Sequence, residues 1–265
     1  MLKIYRSVYF LFLLNACGSQ SSIFNLFPQK LDPADRAARY LEQGQPEKAK
    51  SLMLSELGAD FSNTYNGLDA TSILLAPEAL SSLITTSKQA TFASLLASAE
   101  AQAAGLDPID LMLKSKSITA TSGQSSNVFI ALWPILPAAN STSVLSAQKA
   151  TAALVAISSF YIKEDILKLT LFQLAATSLS LKVADTNGNN LLDPSEIASL
   201  DLATATLILS QIVSAAQAAA SITADSKTNE AMIAAKISSV ATAISQSSGS
   251  DDQQKVQSWL QNLGN

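Results

Sequence analysis

The chain has 265 residues, 48% of them hydrophobic but only 6% aromatic, with 9 Gly and 8 Pro; this aliphatic, turn-poor composition favours long helices over many short strands. There is no His and a single Cys, which excludes Ser-His-Asp and Cys-His nucleophilic sites, His-ligated zinc and intrachain disulfides. The net charge of −4 comes without any Lys/Arg cluster, so nucleic acid is not an expected partner.

The first element is a leader. Lys3 and Arg6 precede the apolar run Val8 to Leu14, and Leu14-Asn15-Ala16-Cys17 follows. The run is far shorter than the roughly 20 apolar residues that span a bilayer, so residues 1–16 read as a secretory signal peptide. Leu14, Ala16 and Cys17 resemble the lipobox of bacterial lipoproteins. The resemblance implies cleavage before Cys17, lipidation of its thiol and a membrane partner held through that anchor. Gly18 after the cysteine is not the Asp of inner-membrane retention, which implies the outer membrane. Residues 17–31 are then a tether, whose Ile23, Phe24, Leu26 and Phe27 could dock on the body.

Residues 32–265 read as an all-α domain, either an antiparallel bundle or an irregular solenoid-like array. Asp32-Pro33 has the form of a helix start, repeated at Asp107-Pro108 and Asp193-Pro194, and Pro77-Glu78 opens another helix. Between Ala34 and Leu57 the chain breaks at Gly44-Gln45-Pro46, and Ala37, Tyr40, Gly44 and Ala49 resemble one tetratricopeptide repeat. An ordinary αα-hairpin explains the same residues. Ala- and Leu-rich segments follow from Ala70 to Lys116. The run Val128 to Leu136, interrupted by Pro134 and followed by Pro137, is expected to cross the core rather than continue as one helix.

Three long helices are expected next, over Ser141–Tyr161, Lys163–Ala184 and Pro194 to about Ile222. The third has no charge between Asp201 and Asp225, so it is expected to be the buried central helix. Ile233, Ile237, Val240 and Ile244 then fall on one helical stripe and read as core. After the polar linker Ser247 to Asp252, a final helix presents Val256, Trp259, Leu260 and Leu263.

One segment carries chemistry. Residues 185–196 read DTNGNNLLDPSE between two helical stretches. Oxygen donors fall on Asp185, Asn187, Asn189 and Asp193, the carbonyl of Leu191 lies between them, and Glu196 closes the segment. A cation that takes six to eight hard oxygens needs such an alternating loop, ended by a carboxylate in the next helix. The segment resembles an EF-hand loop, which implies calcium as the cofactor. Asn190 stands at the tight turn where that family has Gly, and Asn enters the left-handed region more readily than other side chains. Three carboxylates imply weak binding, a dissociation constant of about 10⁻⁴ to 10⁻³ M. The same residues also read as an Asx-rich turn followed by a capping box.

The function expected from these elements is a non-enzymatic envelope lipoprotein, a helical interaction or scaffold module with a structural calcium site and an unidentified protein partner. Two alternatives stand beside it. One is an accessory lipoprotein of a periplasmic transport system, which would need an apolar pocket. The other is a carboxylate-only hydrolase using Glu164 and Asp165, which is disfavoured because neighbouring residues on a helix diverge by about 100°.

Overall fold

The computed structural model describes residues 31–69, 72–73, 76–107, 110–111, 129, 132–220 and 229–263. The chain divides after Asp32, and every described helix belongs to the unit that begins at Pro33. Cys17, the signal segment and the tether up to residue 30 lie outside the described residues.

Pro33 at the first helical position and Asp35 in the first turn open α1 (Pro33–Glu42), where the missing proline N–H costs nothing. The chain reverses at Gly44, whose φ of 65° is in the left-handed region. Gln45 N–H donates to the Tyr40 carbonyl at 2.8 Å, and α2 (Pro46–Leu57) runs back. Ala37 and Ala49 are buried. The hairpin is covered by α5 rather than by a second copy of itself.

The chain continues through α3 (Ala59–Asn66), α4 (Ala76–Ser81), α5 (Ser87–Ala103), α6 (Ser141–Ala156), α7 (Lys163–Ala184), α8 (Pro194–Ser199), α9 (Leu202–Ala220), α10 (Asn229–Ser245) and α11 (Asp252–Leu263). Short 3₁₀ turns occupy Trp133–Ile135 and Ser158–Phe160. The fold is all-α, with no strand among the described residues. Packing proceeds in succession, α2 on α5, α5 on α6, α6 on α7, α7 on α9, and α9 on both α10 and α11. The result is an irregular helical array.

The crossing segment behaves as its prolines require. Among the described residues of that run Phe129, Leu132, Trp133 and Leu136 are buried, and a 3₁₀ turn occupies Trp133–Ile135 around Pro134; residues 128, 130 and 131 lie outside the described residues. The Trp259 face of α11 meets Phe129 edge-on, with ring centroids 6.0 Å apart at 84°. Val256, Leu260 and, from the α10 stripe, Ile244 are buried in the same core, while Ile237 is buried against Ala215 of α9 in a separate small cluster.

Three helix expectations are corrected. First, the helix expected over Ser141–Tyr161 ends at Ala156. Phe160 N–H donates to the Ile157 carbonyl at 2.8 Å in a tighter turn, over an Ile-Ser-Ser run of weak helix formers.

Second, the helix expected over Pro194 to about Ile222 is two helices. Leu200 is extended between them (φ −60°, ψ 122°) and its side chain is buried. Asp201 accepts the Thr204 N–H at 2.7 Å, so its short side chain competes for the amides that a continuous helix would use. The Leu200 carbonyl freed by the break accepts Gln253 Nε2 at 2.7 Å and Gln257 Nε2 at 3.2 Å from α11.

Third, the central helix is α7, not α9. Leu169 to Leu181 is buried without interruption, whereas Leu202 and Val213 of α9 are 52% and 38% exposed. By length and composition α7 is apolar enough to cross a membrane, but it is mostly buried among its neighbours. A helix apolar on all sides is what the middle of a helical array requires. Its buried polar groups are hydrogen-bonded except for the side-chain oxygen of Gln173. Ser178 and Ser180 hydroxyls donate to the carbonyls of Leu174 and Ala176 at 2.8 and 2.9 Å. Gln173 Nε2 reaches Ser214 Oγ at 2.6 Å, and Thr177 Oγ1 reaches Gln211 Oε1 at 3.2 Å.

Candidate metal centre

The loop 185–196 begins where α7 ends and closes in the first turn of α8, so two packed helices fix its ends. The side chains of Asp185, Asn187 and Asn189 fold back on the loop backbone. Asp185 Oδ1 accepts the N–H groups of Gly188 at 2.9 Å and Asn189 at 3.2 Å, while its Oδ2 accepts Asn190 N–H at 2.9 Å. Asn187 Oδ1 accepts Asn189 N–H at 2.9 Å, and Asn189 Oδ1 accepts Leu191 N–H at 2.8 Å. This is a chain of Asx turns. Two left-handed residues make it possible: Gly188 at φ 71° and Asn190 at φ 62°. Asn190 is the only non-Gly residue with positive φ among the described residues, at the position where the sequence places the tight turn.

Glu196 is buried and spans the loop. Its Oε1 accepts Thr186 N–H at 2.8 Å, Thr186 Oγ1–H at 2.9 Å and Asn187 N–H at 3.2 Å. Its Oε2 accepts Asp193 N–H at 3.0 Å, so half of the expected capping box forms. The Asp193 N–H above all, with the Thr186 and Asn187 donors added, holds the Glu196 carboxyl below its ordinary pKa, against an opposing push from burial. Asp193 Oδ2 accepts both side-chain amides, from Asn187 at 2.7 Å and from Asn189 at 3.3 Å. The loop therefore brings Asp185, Asn187, Asn189, Asp193 and Glu196 into one hydrogen-bonded unit, with Leu191 on its exposed side. Leu192 packs partly on the core, and Ile197 and Leu200 are buried under α8.

No three Asp, Glu, Cys or His groups converge into a preassembled metal cluster among the described residues. The carboxylates are instead occupied by N–H donors. The donor chemistry is still uniformly hard oxygen, which suits a calcium-like ion and not a thiolate-seeking one. Thr186, absent from the sequence reading, contributes two of the four donors to Glu196; its signal is a hydroxyl next to the first Asp of the loop.

Glu164 and Asp165 both line one open cleft with Lys168 but differ in exposure. Glu164 is exposed, whereas Asp165 is buried, accepting Ser94 Oγ–H at 2.6 Å and the Ile162 N–H at 3.3 Å. Asp165 thereby ties α5 to the start of α7.

No protein-family model, curated protein or solved structure matches this chain.

Proposed function

We propose that this chain is an exported, lipid-anchored helical module of the bacterial envelope whose 185–196 loop binds calcium and so stiffens the junction of α7 with α8. The observation that carries the calcium reading is Glu196, whose carboxylate is directed back at residues 186 and 187, beside Asp185, while Asn190 makes the left-handed turn between them. The residues that would hold the ion are Asp185, Asn187, Asn189, the Leu191 carbonyl, Asp193 and Glu196. Calcium supplies a divalent charge that those oxygens would otherwise find only in N–H dipoles. Each carboxylate oxygen has more than one lone-pair direction, so some of these N–H bonds are compatible with an ion.

The lipoprotein reading rests on Lys3, Arg6, the Val8 to Leu14 run and Cys17. The absence of His and of any second Cys supports a binding or scaffold role over nucleophilic catalysis. The module presents its surface to an envelope protein partner.

Two measurements test this. Metabolic labelling with radioactive palmitate should mark the wild-type protein and not Cys17→Ser. Calcium at about 10 mM, roughly 10 to 100 times the expected dissociation constant, should stabilise the protein by about 1.4 to 2.7 kcal/mol. Asp185→Ala combined with Glu196→Gln should abolish that gain. Identical melting curves in chelator and in calcium would refute the calcium reading, and unlabelled wild type would refute the anchor.

A further inference from the structure

Where α6, α7 and α9 meet, the surface opens into a cleft of about 180 Å³ walled by Val144, Leu145, Val183 and Leu207. No charged side chain lines it, so a charged guest would be desolvated without a counter-ion. Its volume is near that of the cavity of about 150 Å³ that accepts benzene in an engineered core. The cleft thus suits a neutral, ring-sized molecule.

Gln148 supplies the polar feature. It lines the cleft, is 1% exposed, and its side-chain oxygen is buried without a hydrogen-bond partner. Two nearby hydroxyls are committed elsewhere. Ser180 donates to the Ala176 carbonyl at 2.9 Å, and Thr151 donates to the backbone carbonyl of Gln148 at 2.7 Å. A buried amide oxygen left unmatched is uncommon in folded proteins and costly to leave so.

We propose that this cleft binds a small apolar alcohol, of the size of phenol or cyclohexanol, whose hydroxyl pairs with the Gln148 side-chain amide. A hydroxyl both donates and accepts, so it complements the amide in either rotation about its last torsion. Val183, exposed at the cleft, provides the open side through which the ring enters. None of the loop residues 185–196 lines the cleft, so the inference stands independently of calcium.

The test is a titration of the ¹⁵N-labelled protein with phenol and, separately, with toluene, which has the same shape without the hydroxyl. Phenol should produce saturable shifts in the Gln148 side-chain NH₂ and in the backbone amides of Val144, Val183 and Leu207, and should bind about tenfold more tightly than toluene. Gln148→Leu should reverse that preference. Val183→Trp, placed at an exposed position, should block both. If Gln148→Leu does not fold, the wild-type phenol-to-toluene ratio and Val183→Trp still decide the matter. Shifts that do not saturate, that persist in Val183→Trp, or that toluene produces as readily as phenol overturn the proposal.

Discussion

Lys50 Nζ lies 2.9 Å from Oε1 of Glu100, a carboxylate with no exposed surface, and the pair joins α2 to α5. Tyr65 of α3 faces the same carboxylate, and burial first, then the Glu100 charge, raises its phenol well above the ordinary value. Lys149 of α6 sits over the Tyr65 ring at 5.6 Å, its pKa lowered by burial and partly restored by Glu100. Four helices therefore meet at one buried negative charge. Removing Lys50 leaves that charge undercompensated, and such losses cost about 3 to 5 kcal/mol. Because Lys149 still faces Glu100, Lys50→Met should fall at the low end, about 3 kcal/mol by urea unfolding at neutral pH. Lys50→Met with Glu100→Met should recover most of the loss, since apolar replacements of a buried pair are often neutral.

A second ammonium holds the proline-rich crossing in place. Lys182, in the last turn of α7, donates to the carbonyls of Trp133 at 2.9 Å, Leu136 at 3.2 Å and Pro137 at 3.3 Å. Prolines at 134 and 137 leave this segment short of backbone donors, so its carbonyls need an outside partner. Lys182→Met should cost about 2 to 3 kcal/mol, the scale of hydrogen bonds to a charged group. It should also alter the near-ultraviolet circular dichroism of Trp133. An unchanged aromatic spectrum together with unchanged stability would show that the crossing is held by packing alone.

These two lysines mark the limit of what the sequence reveals. Local signals are legible: the Asp-Pro helix starts at Pro33 and Pro194, the reversal at Gly44, the Ile237 and Ile244 stripe, and the Trp259 face all follow from spacing within one element, while Pro108 lies outside the described residues. The pairing of Lys50 with Glu100 is not legible, because nothing local distinguishes a lysine that will meet a buried carboxylate 50 residues away from one that will remain in water. The Leu200 break is largely hidden for a related reason. The capping Asp201 is its one local sign, and the extended conformation of Leu200 also relies on Gln253 and Gln257 from another helix. In the loop, the donor positions were readable, while the Thr186 contribution depends on where Glu196 swings.

The loop should also give the calcium-free protein an acid dependence of known sign. Folding depresses the Glu196 pKa, chiefly through the Asp193 N–H. Its contribution is fully present above the ordinary carboxylate range and is lost as pH falls through the folded-state value. In chelator, wild type should therefore melt above Glu196→Gln at pH ~7, and the gap should narrow as pH falls below the ordinary carboxylate range. A gap that stays constant over that range would show that the Glu196 charge does not stabilise the loop.

The break between α8 and α9 yields the most local prediction. The Leu200 carbonyl belongs to a buried residue and has two donors, Gln253 Nε2 at 2.7 Å and Gln257 Nε2 at 3.2 Å, and Gln257 also reaches the Ala198 carbonyl at 3.2 Å. Either glutamine alone can keep the Leu200 carbonyl paired, so Gln253→Ala and Gln257→Ala should each cost well under 1 kcal/mol. Together they leave a buried acceptor unmatched, which costs about 1 to 3 kcal/mol. The double variant should thus lose more than the sum of the singles in chemical denaturation, with a coupling of the size found for residues sharing one partner. Amide exchange should quicken in α11 and the first turn of α9 while α7 stays protected, because α7 is held by contacts these glutamines do not touch. Strict additivity would mean that the carbonyl is not their shared acceptor and that Asp201 capping alone sustains the break.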